Sequence, residues 1–567
     1  MNSLVLLAAA AVLFVWGYRF YSRHIVRRVF RFDDSRPTPA HEQMDGVDYV
    51  PTRPAILFGH HFATIAGVSP IVGPAIAVFW GWLPAFLWVV LGSVLLGAVH
   101  DLGAMYVSLR HRGRSIGDLT GAVVGPRSRF LFLWIIFCLL LLVLAVFALI
   151  IARLIHTYPQ TVVPVLGVTA MAMVAGVFFR RRESGLWMFT ILAVVIAYVL
   201  VVLGVRFPIS LPSPHAVKIL IGIILAYSYF AAVLPVWLLL QPRDHINAWA
   251  LFAGMGLIIA GLVLAHPTVV APAIHYEAFG SPGAPPLFPI LFITIACGAI
   301  SGFHCLVSSG TSVRQLRRES DARPVAYGAM LTEGALSVLA IVVCCSAVDS
   351  GYWFSHYGAW GGDGTLGAML EPFINGSAFL IERLGIGVEL ARTIIAVVII
   401  GFALTTIDSC MRLQRYVVAE LFSGLPGCSG LRNRYAAGGL AIATAMGLCY
   451  GFSGGGVELW PLFGATNQLL AALALLVTTT YLVSRRLPVR YTLPPMLFVF
   501  GVTEYALVLK LKEFWFGPGE AQKLLGIIGL LLLVFSLWMI VEAVVAVLRA
   551  PRAAWSGESE AVIPPQS

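Results

Sequence analysis

Long apolar runs recur along the whole of this 567-residue sequence, and they constrain its fold more than any other feature. A run of about 18 or more apolar residues is long enough to cross the hydrocarbon core of a bilayer as a helix. Backbone groups in lipid must be hydrogen-bonded within their own segment, so helices are the structure that such runs form. The 59% of hydrophobic residues, the 11% of charged residues and the mean hydropathy of +0.89 therefore predict an all-helical polytopic membrane protein.

We predict 15 membrane-spanning helices, at residues 2–20, 54–80, 82–108, 129–155, 161–180, 185–206, 216–239, 246–266, 286–312, 324–349, 388–411, 435–453, 459–484, 492–512 and 523–548. Because this number is odd, the two termini lie on opposite sides of the membrane. Arginines follow every odd-numbered span, with Arg243 after the seventh, and the positive-inside rule places these ends in the cytoplasm. We therefore expect a multi-pass protein of the bacterial inner membrane with a periplasmic N-terminus and a cytoplasmic C-terminus.

The net charge of +10 follows from these arginine clusters, which lie between apolar runs and form no phosphate-binding face. We therefore expect the lipid bilayer, and no nucleic acid, as a partner.

Four regions are predicted: an N-terminal helix and cytoplasmic loop at 1–53, a core with inserted helices at 54–484, a C-terminal helix pair at 485–550, and a disordered cytoplasmic tail at 551–567. Segment 365–386 is too short and interrupted for a span, so we expect an external interfacial or re-entrant segment there.

The second predicted span, which contains LFGHHFATIAGVSPIVGP at residues 57–74, is interrupted in its middle. Gly67, Ser69 and Pro70 break the apolar pattern, because proline lacks a backbone donor and glycine is a weak helix former. Freed backbone groups at membrane depth are tolerated only where they line a cavity or are buried in protein. A broken helix is therefore predicted at this point.

The ninth predicted span contains a second interruption, in FITIACGAISGFHCLVSSGTSVRQL at residues 292–316. Gly298, Ser301 and Gly302 lie at mid-span and His304 follows them. The second and ninth spans run in opposite directions, as inverted repeats require. Such a pair points to a transporter binding site, where half-helix amino ends attract anions and exposed carbonyls hold cations. The alternative is that the small residues merely allow close helix packing.

A third polar stretch lies near the cytoplasmic end of the eleventh span, in IIGFALTTIDSCMRLQRYVVAEL at residues 399–421. Thr405, Thr406 and Asp408 offer two hydroxyls and a carboxylate, which suit Na⁺ or a proton, and ionisable residues at such depth are functional by default. The alternative is that Asp408 pairs with Arg412 at i+4 and simply closes the helix.

Further polar residues lie within apolar spans. Asp101, preceded by His100, and Glu333 are intramembrane acids that could relay protons or bridge helices. Asn467 and Gln468 carry amides of the kind that hold membrane helices together.

His60 and His61 could ligate a metal ion. Adjacent residues on a helix point about 100° apart, however, so a single metal would rarely bind both. The sequence also contains no HExxH or CxxC pattern to support a metal site. We therefore expect no transition metal and no other cofactor.

The sequence resembles the carbon starvation protein A family in five stretches: GHHFATIAGVSPIVGP, SGFHCLVSSGT, YGAMLTEGALSVLA, FALTTIDSCMRLQR and LWPLFGATNQLLAAL. The resemblance runs from about residue 45 to residue 480 and is quite specific. It implies an inner-membrane uptake carrier for peptides or pyruvate under nutrient limitation. It also implies kinship with the amino-acid/polyamine/organocation superfamily and hence a LeuT-like 5+5 inverted-repeat core with two discontinuous helices.

Under this resemblance the second and ninth spans are the first and sixth core helices. The eleventh span then corresponds to the helix that supplies hydroxyl ligands to the sodium position of that superfamily. This correspondence implies a cation role for Thr405, Thr406 and Asp408, together with carbonyls near residues 63–67.

The leading hypothesis is a secondary active symporter, without enzymatic activity, for a small carboxylate such as pyruvate, with short peptides as the alternative. The expected substrate-binding residues are His60, His61, Thr64, Gly67, Gly298, Ser301, Gly302 and His304. The residues expected to couple transport to H⁺ or Na⁺ are Ala63, Ala66, Asp101, Glu333, Thr405, Thr406 and Asp408. Two rival hypotheses are a membrane-embedded haem or metal enzyme that uses its histidines and a nutrient sensor with a degenerate transporter core. The sequence does not indicate an oligomeric state.

Overall fold

The computed structural model describes residues 1–46, 48–179, 186–235, 237–281, 283–360, 366, 368–422, 429–451, 456–516 and 520–549. The predicted disordered tail at 551–567 lies outside these described residues, as do Arg180, Arg181 and Arg182 of the predicted cytoplasmic clusters.

The described chain folds into helices. The helices of the first half are α1 (Ser3–Phe30), α2 (Pro54–Ile65), α3 (Ser69–Trp80), α4 (Trp82–Arg110), α5 (Ile116–Val123), α6 (Pro126–Thr157), α7 (Val162–Phe179), α8 (Leu186–Arg206), α9 (Ala216–Val233) and α10 (Leu240–Ala265). Those of the second half are α11 (Leu287–Thr294), α12 (Gly302–Gly310), α13 (Glu319–Ser346), α14 (Ser350–His356), α15 (Glu371–Glu382), α16 (Val388–Phe422), α17 (Arg434–Gly451), α18 (Leu459–Ser484), α19 (Leu493–Phe516) and α20 (Glu520–Arg549).

The apolar helices confirm a multi-pass membrane protein. Among the described residues, 11 helices are long and apolar enough to cross a bilayer, or 12 when the bent pair α2–α3 counts as one span. The other three predicted positions are occupied by α8, by α17 and by the pair α11–α12. The number of 15 spans therefore stays a prediction.

Several predicted boundaries are wrong. Helix α16 ends at Phe422, 11 residues past its predicted end at residue 411, and helices α1 and α10 also differ. Helix α1 continues to Phe30, ten residues past its predicted end at residue 20, so Arg23, Arg27 and Arg28 lie on the helix itself. Helix α10 begins at Leu240 instead of residue 246, and Arg243 lies in its first turn. Arg243 is only 1% exposed, so it is not a loop arginine, because a carboxylate on another helix neutralises it inside the protein.

Segment 365–386, expected to be interfacial or re-entrant, contains helix α15. At 12 residues this helix is too short to cross a bilayer. It packs against α10, α13 and α16, and Phe373, Ile374, Leu380 and Ile381 are buried in those contacts. Helix α15 is thus part of the helical core, while residues 365 and 367 of the segment lie outside the described residues.

The centre of the molecule is formed by α6 and α18. The most apolar stretch of α18 is completely buried and that of α6 nearly so, whereas α1, α7 and α10 are mostly exposed along theirs. Helix α18 packs against α4, α6, α12 and α11, so it reaches both halves of the second broken span.

The two broken spans cross each other in opposite directions. Helix α2 packs against α12, and α3 packs against α11, which places the first half of each span beside the second half of the other. Gly73 of α3 allows the closest approach. A Cβ added there would lie 2.6 Å from the carbonyl oxygen of Thr294 and 3.2 Å from Cα of Ile295. The antiparallel pairing expected from the sequence is therefore present.

We expect Gly73→Ala to lower the free energy of unfolding by about 1–3 kcal/mol, because the added methyl group overpacks the contact with Thr294. The matched control is Gly447→Ala, since no neighbouring atom lies within 4 Å of a Cβ added at Gly447 in helix α17. The measurement is the thermal unfolding of both variants and the parent in one detergent. Equal stability of the Gly73 and Gly447 variants would contradict the close approach of α3 and α11.

Candidate functional site

The first break lies between α2 and α3, which are bent by 50° relative to each other. Gly67 donates its N–H to the Ile65 oxygen, and Ile71 donates to Val68, so the carbonyls of Ala63 and Gly67 lose their helical donors. The Ala66 carbonyl also lacks one, because its i+4 residue is proline. The break therefore presents backbone oxygens inside a fully buried segment.

The second break spans residues 295–301, and side chains replace the helical donors lost by the carbonyls at the end of α11 and the start of the break. Gln468 donates to the Phe292 oxygen at 2.5 Å and Trp460 donates to the Thr294 oxygen at 3.2 Å. Trp88 of α4 donates to the next carbonyl, that of Ile295, at 3.0 Å. The interruption is thus stabilised by specific partners on α18 and α4.

Asn467 holds the start of α12. Its Oδ1 accepts from the backbone N–H of Phe303 at 2.9 Å, and its Nδ2 donates to the hydroxyl of Ser301 at 3.1 Å. A Cβ at Gly302 would collide with the Asn467 carbonyl, which explains the glycine at the first position of the helix. The predicted gluing role of Asn467 and Gln468 is therefore confirmed.

Ser337 of α13 lies between the two breaks. Its hydroxyl donates to the Pro70 carbonyl at 2.8 Å, and the same oxygen occupies the space that a Cβ at Gly298 would need. One turn earlier on the same face of α13 lies Glu333. This helix therefore connects the backbone of both breaks to a buried carboxylate.

A chain of ionisable side chains runs from α4 through α12 to α13. Asp101 accepts from His100 Nδ1 at 2.8 Å and from His304 Nδ1 at 2.9 Å. The other ring nitrogen of His304 lies 3.0 Å from the Glu333 carboxylate. All four side chains are completely buried. The structure thus brings together three residues that the sequence analysis placed in two sets, since His304 was expected to bind substrate while Asp101 and Glu333 were expected to couple an ion.

The remaining substrate-site candidates lie on α2. His61 is buried, and its Nδ1 lies 2.7 Å from the Ser312 hydroxyl, while its Nε2 has no hydrogen-bond partner within the described chain. Thr64 donates to the carbonyl of the partly buried His60 at 2.8 Å. His60 and His61 therefore differ in surroundings, as adjacent positions on a helix must.

Thr405 and Thr406 face different neighbours. Thr406 adjoins the first break, since a Cβ at Gly67 would lie 2.7 Å from its hydroxyl oxygen. Thr405 points toward α10, where it accepts from the Asn247 amide at 3.0 Å. Of these two threonines, Thr406 is therefore the one that lies beside the first break.

Asp408 does not pair with Arg412, which was the structural alternative considered for it. Its Oδ2 accepts from Arg243 Nη1 at 2.5 Å, whereas Arg412 donates to the Leu234 and Ala231 carbonyls at the end of α9. Asp244 lies next to Arg243 and is also buried. The sequence analysis missed Arg243 and Asp244 because their pattern, LQPRDH, is typical of a cytoplasmic loop, and it assigned no role to Asn247 at the start of the eighth predicted span.

Within the described residues, no group of three or more histidine, cysteine and acidic side chains is arranged to hold a metal ion. The site contains buried ionisable side chains beside two interrupted helices. A histidine between two carboxylates can take up and release a proton without leaving its place.

Comparisons with known proteins agree on one family. The family model described as "Carbon starvation protein CstA" matches residues 2–361 and 365–506. The peptide transporter CstA of Campylobacter jejuni is 32% identical over 91% of this chain and 81% of the relative. The pyruvate/proton symporter BtsT of Escherichia coli is 31% identical over 90% of this chain and 82% of the relative. The peptide transporter CstA of Bacillus subtilis is 29% identical over 96% and 97%.

The fold itself resembles a solved structure. A crystal structure of a point mutant of the manganese transporter from Eremococcus coleocola superposes with a TM-score of 0.50 at 10% identity, over 89% of this chain and 99% of that one. At this identity the likeness concerns the fold alone.

We expect Asn467→Leu to lower the free energy of unfolding by about 1–3 kcal/mol, because it leaves the Phe303 N–H buried without an acceptor. Thr466→Val is the control, since the Thr466 hydroxyl donates only within its own helix, to Leu462 at 2.7 Å. Thermal unfolding of the two variants measures the difference. A loss in the control as large as in the Asn467 variant would contradict the capping role.

Proposed function

The chain belongs to the carbon starvation CstA family, and we propose that it is a secondary active symporter that imports a small carboxylate, pyruvate first, with protons. We place it in the bacterial inner membrane with a periplasmic N-terminus, and we assign it a LeuT-like inverted-repeat core. The antiparallel crossing of α2–α3 with α11–α12 supports that assignment. The opposite orientation of the two breaks is what such a core requires.

The observation that carries the proposal is the position of His304 between Asp101 and Glu333. With both carboxylates ionised, a doubly protonated His304 places a positive charge between them: Nδ1 donates to Asp101, and Nε2 lies 3.0 Å from Glu333 without forming a hydrogen bond in the described chain. The cluster then holds one positive and two negative charges in a fully buried place, where an uncompensated charge is costly. Uptake of one further proton balances it. A proton is therefore the ion that this site is suited to bind and release.

The substrate carboxylate is proposed to bind between the two breaks. Helices α3 and α12 begin there, and helix amino ends favour anions. The Ser69 hydroxyl at the start of α3 and His61 Nε2 are buried and have no hydrogen-bond partner among the described residues. Thr64, Gly67, Gly298, Ser301 and Gly302 complete the proposed lining, and the half-buried His60 lies at its edge. A small anion with few donors of its own suits these groups.

Two alternatives have support of their own. Several relatives are named peptide transporters, so a short peptide is the second candidate substrate. Sodium is the second candidate ion, because the Thr406 hydroxyl lies beside Gly67 in the break where the carbonyls of Ala63, Ala66 and Gly67 lose their helical donors. Both alternatives use the same residues and differ only in the substrate or the ion that binds there.

Purified protein in liposomes is expected to accumulate labelled pyruvate when the outside is acidic, and not when only a sodium gradient is applied. The measurement compares pyruvate with a labelled dipeptide under separate pH and sodium gradients. If only the dipeptide accumulates, the substrate is a peptide and not pyruvate. If accumulation occurs only with a sodium gradient, the coupling ion is sodium and not a proton. No gradient-driven accumulation of either compound would contradict the transporter proposal itself.

We expect Glu333→Gln to abolish pyruvate accumulation against a gradient while exchange of internal for external pyruvate continues. The reason is that an amide cannot carry the coupling proton, whereas exchange needs no net proton movement. Glu504→Gln is the matched control, because Glu504 lies on α19 and accepts from Ser536 at 2.6 Å, away from the cluster. Undiminished accumulation by the Glu333 variant would contradict the role of the cluster in coupling.

A further inference from the structure

A second group of buried charges lies between α9, α10 and α16, apart from the His304 cluster. Arg243 donates through Nη1 to Asp408 at 2.5 Å and to the Tyr227 hydroxyl at 2.6 Å. Its Nη2 lies 3.7 Å from Asp244 Oδ1, which is too long for a hydrogen bond. The side chains of Arg243 and Asp244 are 2% exposed and that of Asp408 is not exposed at all.

These three residues do not balance one another. One guanidinium faces two carboxylates, so the group carries an excess negative charge when both acids are ionised. Several of its atoms also have no hydrogen-bond partner among the described residues, namely Arg243 Nε and Nη2, Asp244 Oδ1 and Asp408 Oδ1. A buried carboxylate in this condition is costly, and gaining a proton removes both the charge and the unmet acceptor.

A small cavity next to Arg243 limits which ligands can approach this charged group. It is lined by Arg243, Asn247, Thr169 and Gly401 together with apolar residues of α7 and α16, and its volume is ≈ 20 Å³. That is room for about one water molecule and too little for an organic carboxylate. A metal cation is also disfavoured, because the guanidinium already lies beside both acids.

We propose that Asp244 is a second proton-binding site, in which its carboxylate takes up one exchangeable proton beside the Arg243–Asp408 ion pair. The proton bonds to a carboxylate oxygen of Asp244, which takes these three residues from a net charge of minus one to zero. The inference rests on the proposed symport and adds a second coupling proton to it. The charged and titratable groups around the two carboxylates are Arg243 on the same helix as Asp244, Tyr227 on α9, and Cys410 and Arg412 on α16.

The site lies at a contact between two helices, so its protonation can affect how those helices pack. The Arg243–Asp408 ion pair joins α10 to α16, and α16 adjoins the first break through Thr406 and Gly67. When Asp244 is protonated, Asp408 is the one ionised acid of the group and alone balances the charge of Arg243. Binding of the proton therefore changes the contact between α10 and the helix that supports the break.

The test measures the charge moved with each substrate molecule. Proteoliposomes without a pH gradient are given a tenfold pyruvate gradient, and the membrane potential that stops net flux is determined. With two protons per pyruvate anion one net charge moves, so the parent protein balances at about 59 mV. Asp244→Asn and Asp408→Asn each leave one acid paired with Arg243, and in both variants we expect one charge fewer, which makes uptake independent of the potential.

The controls separate the possible outcomes. Glu504→Gln is expected to keep the parent's balance potential. If the dipeptide proves to be the substrate, the same experiment with the dipeptide should still show a loss of one charge in both variants. An unchanged charge per substrate in Asp244→Asn overturns the inference while leaving symport intact. A sodium-dependent balance potential in the parent that Asp244→Asn abolishes overturns it in favour of a metal cation. Absence of uptake by the parent protein overturns the proposed function instead.

Discussion

Replacement of lost helical hydrogen bonds by side chains is the constraint on which the centre of this structure depends. An interrupted helix at membrane depth exposes backbone groups that lipid cannot satisfy. At the second break Gln468, Trp460 and Trp88 supply the missing donors and Asn467 supplies an acceptor. Three of these four residues lie on α18, which explains why this helix is buried along its most apolar stretch. Because α18 is buried, its side chains can reach the backbone groups that the second break leaves without helical partners.

The first break is satisfied less completely, and this difference matters for function. Ser337 supplies a donor to Pro70, but the carbonyls of Ala63, Ala66 and Gly67 lose their helical donors. Oxygens in this state are available to a bound ion or to a substrate that donates. The asymmetry therefore separates two roles: the second break is held by protein partners, and the first presents its backbone to the interior.

The positions of both breaks could be predicted from the sequence, because glycine and proline act through local backbone chemistry. The partners of the buried charges could not, because they come from distant helices. Asp408 and Arg243 are 165 positions apart, and Arg243 looks like a loop residue when only its neighbours LQPRDHIN are considered. The rule that arginine marks a cytoplasmic loop fails where a buried carboxylate neutralises it. His304, Asp101 and Glu333 were each recognised as polar anomalies, while their contact depends on how α4, α12 and α13 pack.

The His304 group and the Arg243 group have the same balance of charges, but they connect different helices. Each sets one cation against two carboxylates in a place without solvent, so each is most stable with one proton more than full ionisation allows. The His304 group connects three helices around the breaks, and the Arg243 group connects α10 to the helix behind the first break. Protonation of either removes a charge that would otherwise have to be kept buried during movement. Under the proposed symport, the helices move only in protonation states that leave neither group unbalanced, and this restriction would couple substrate movement to a gradient.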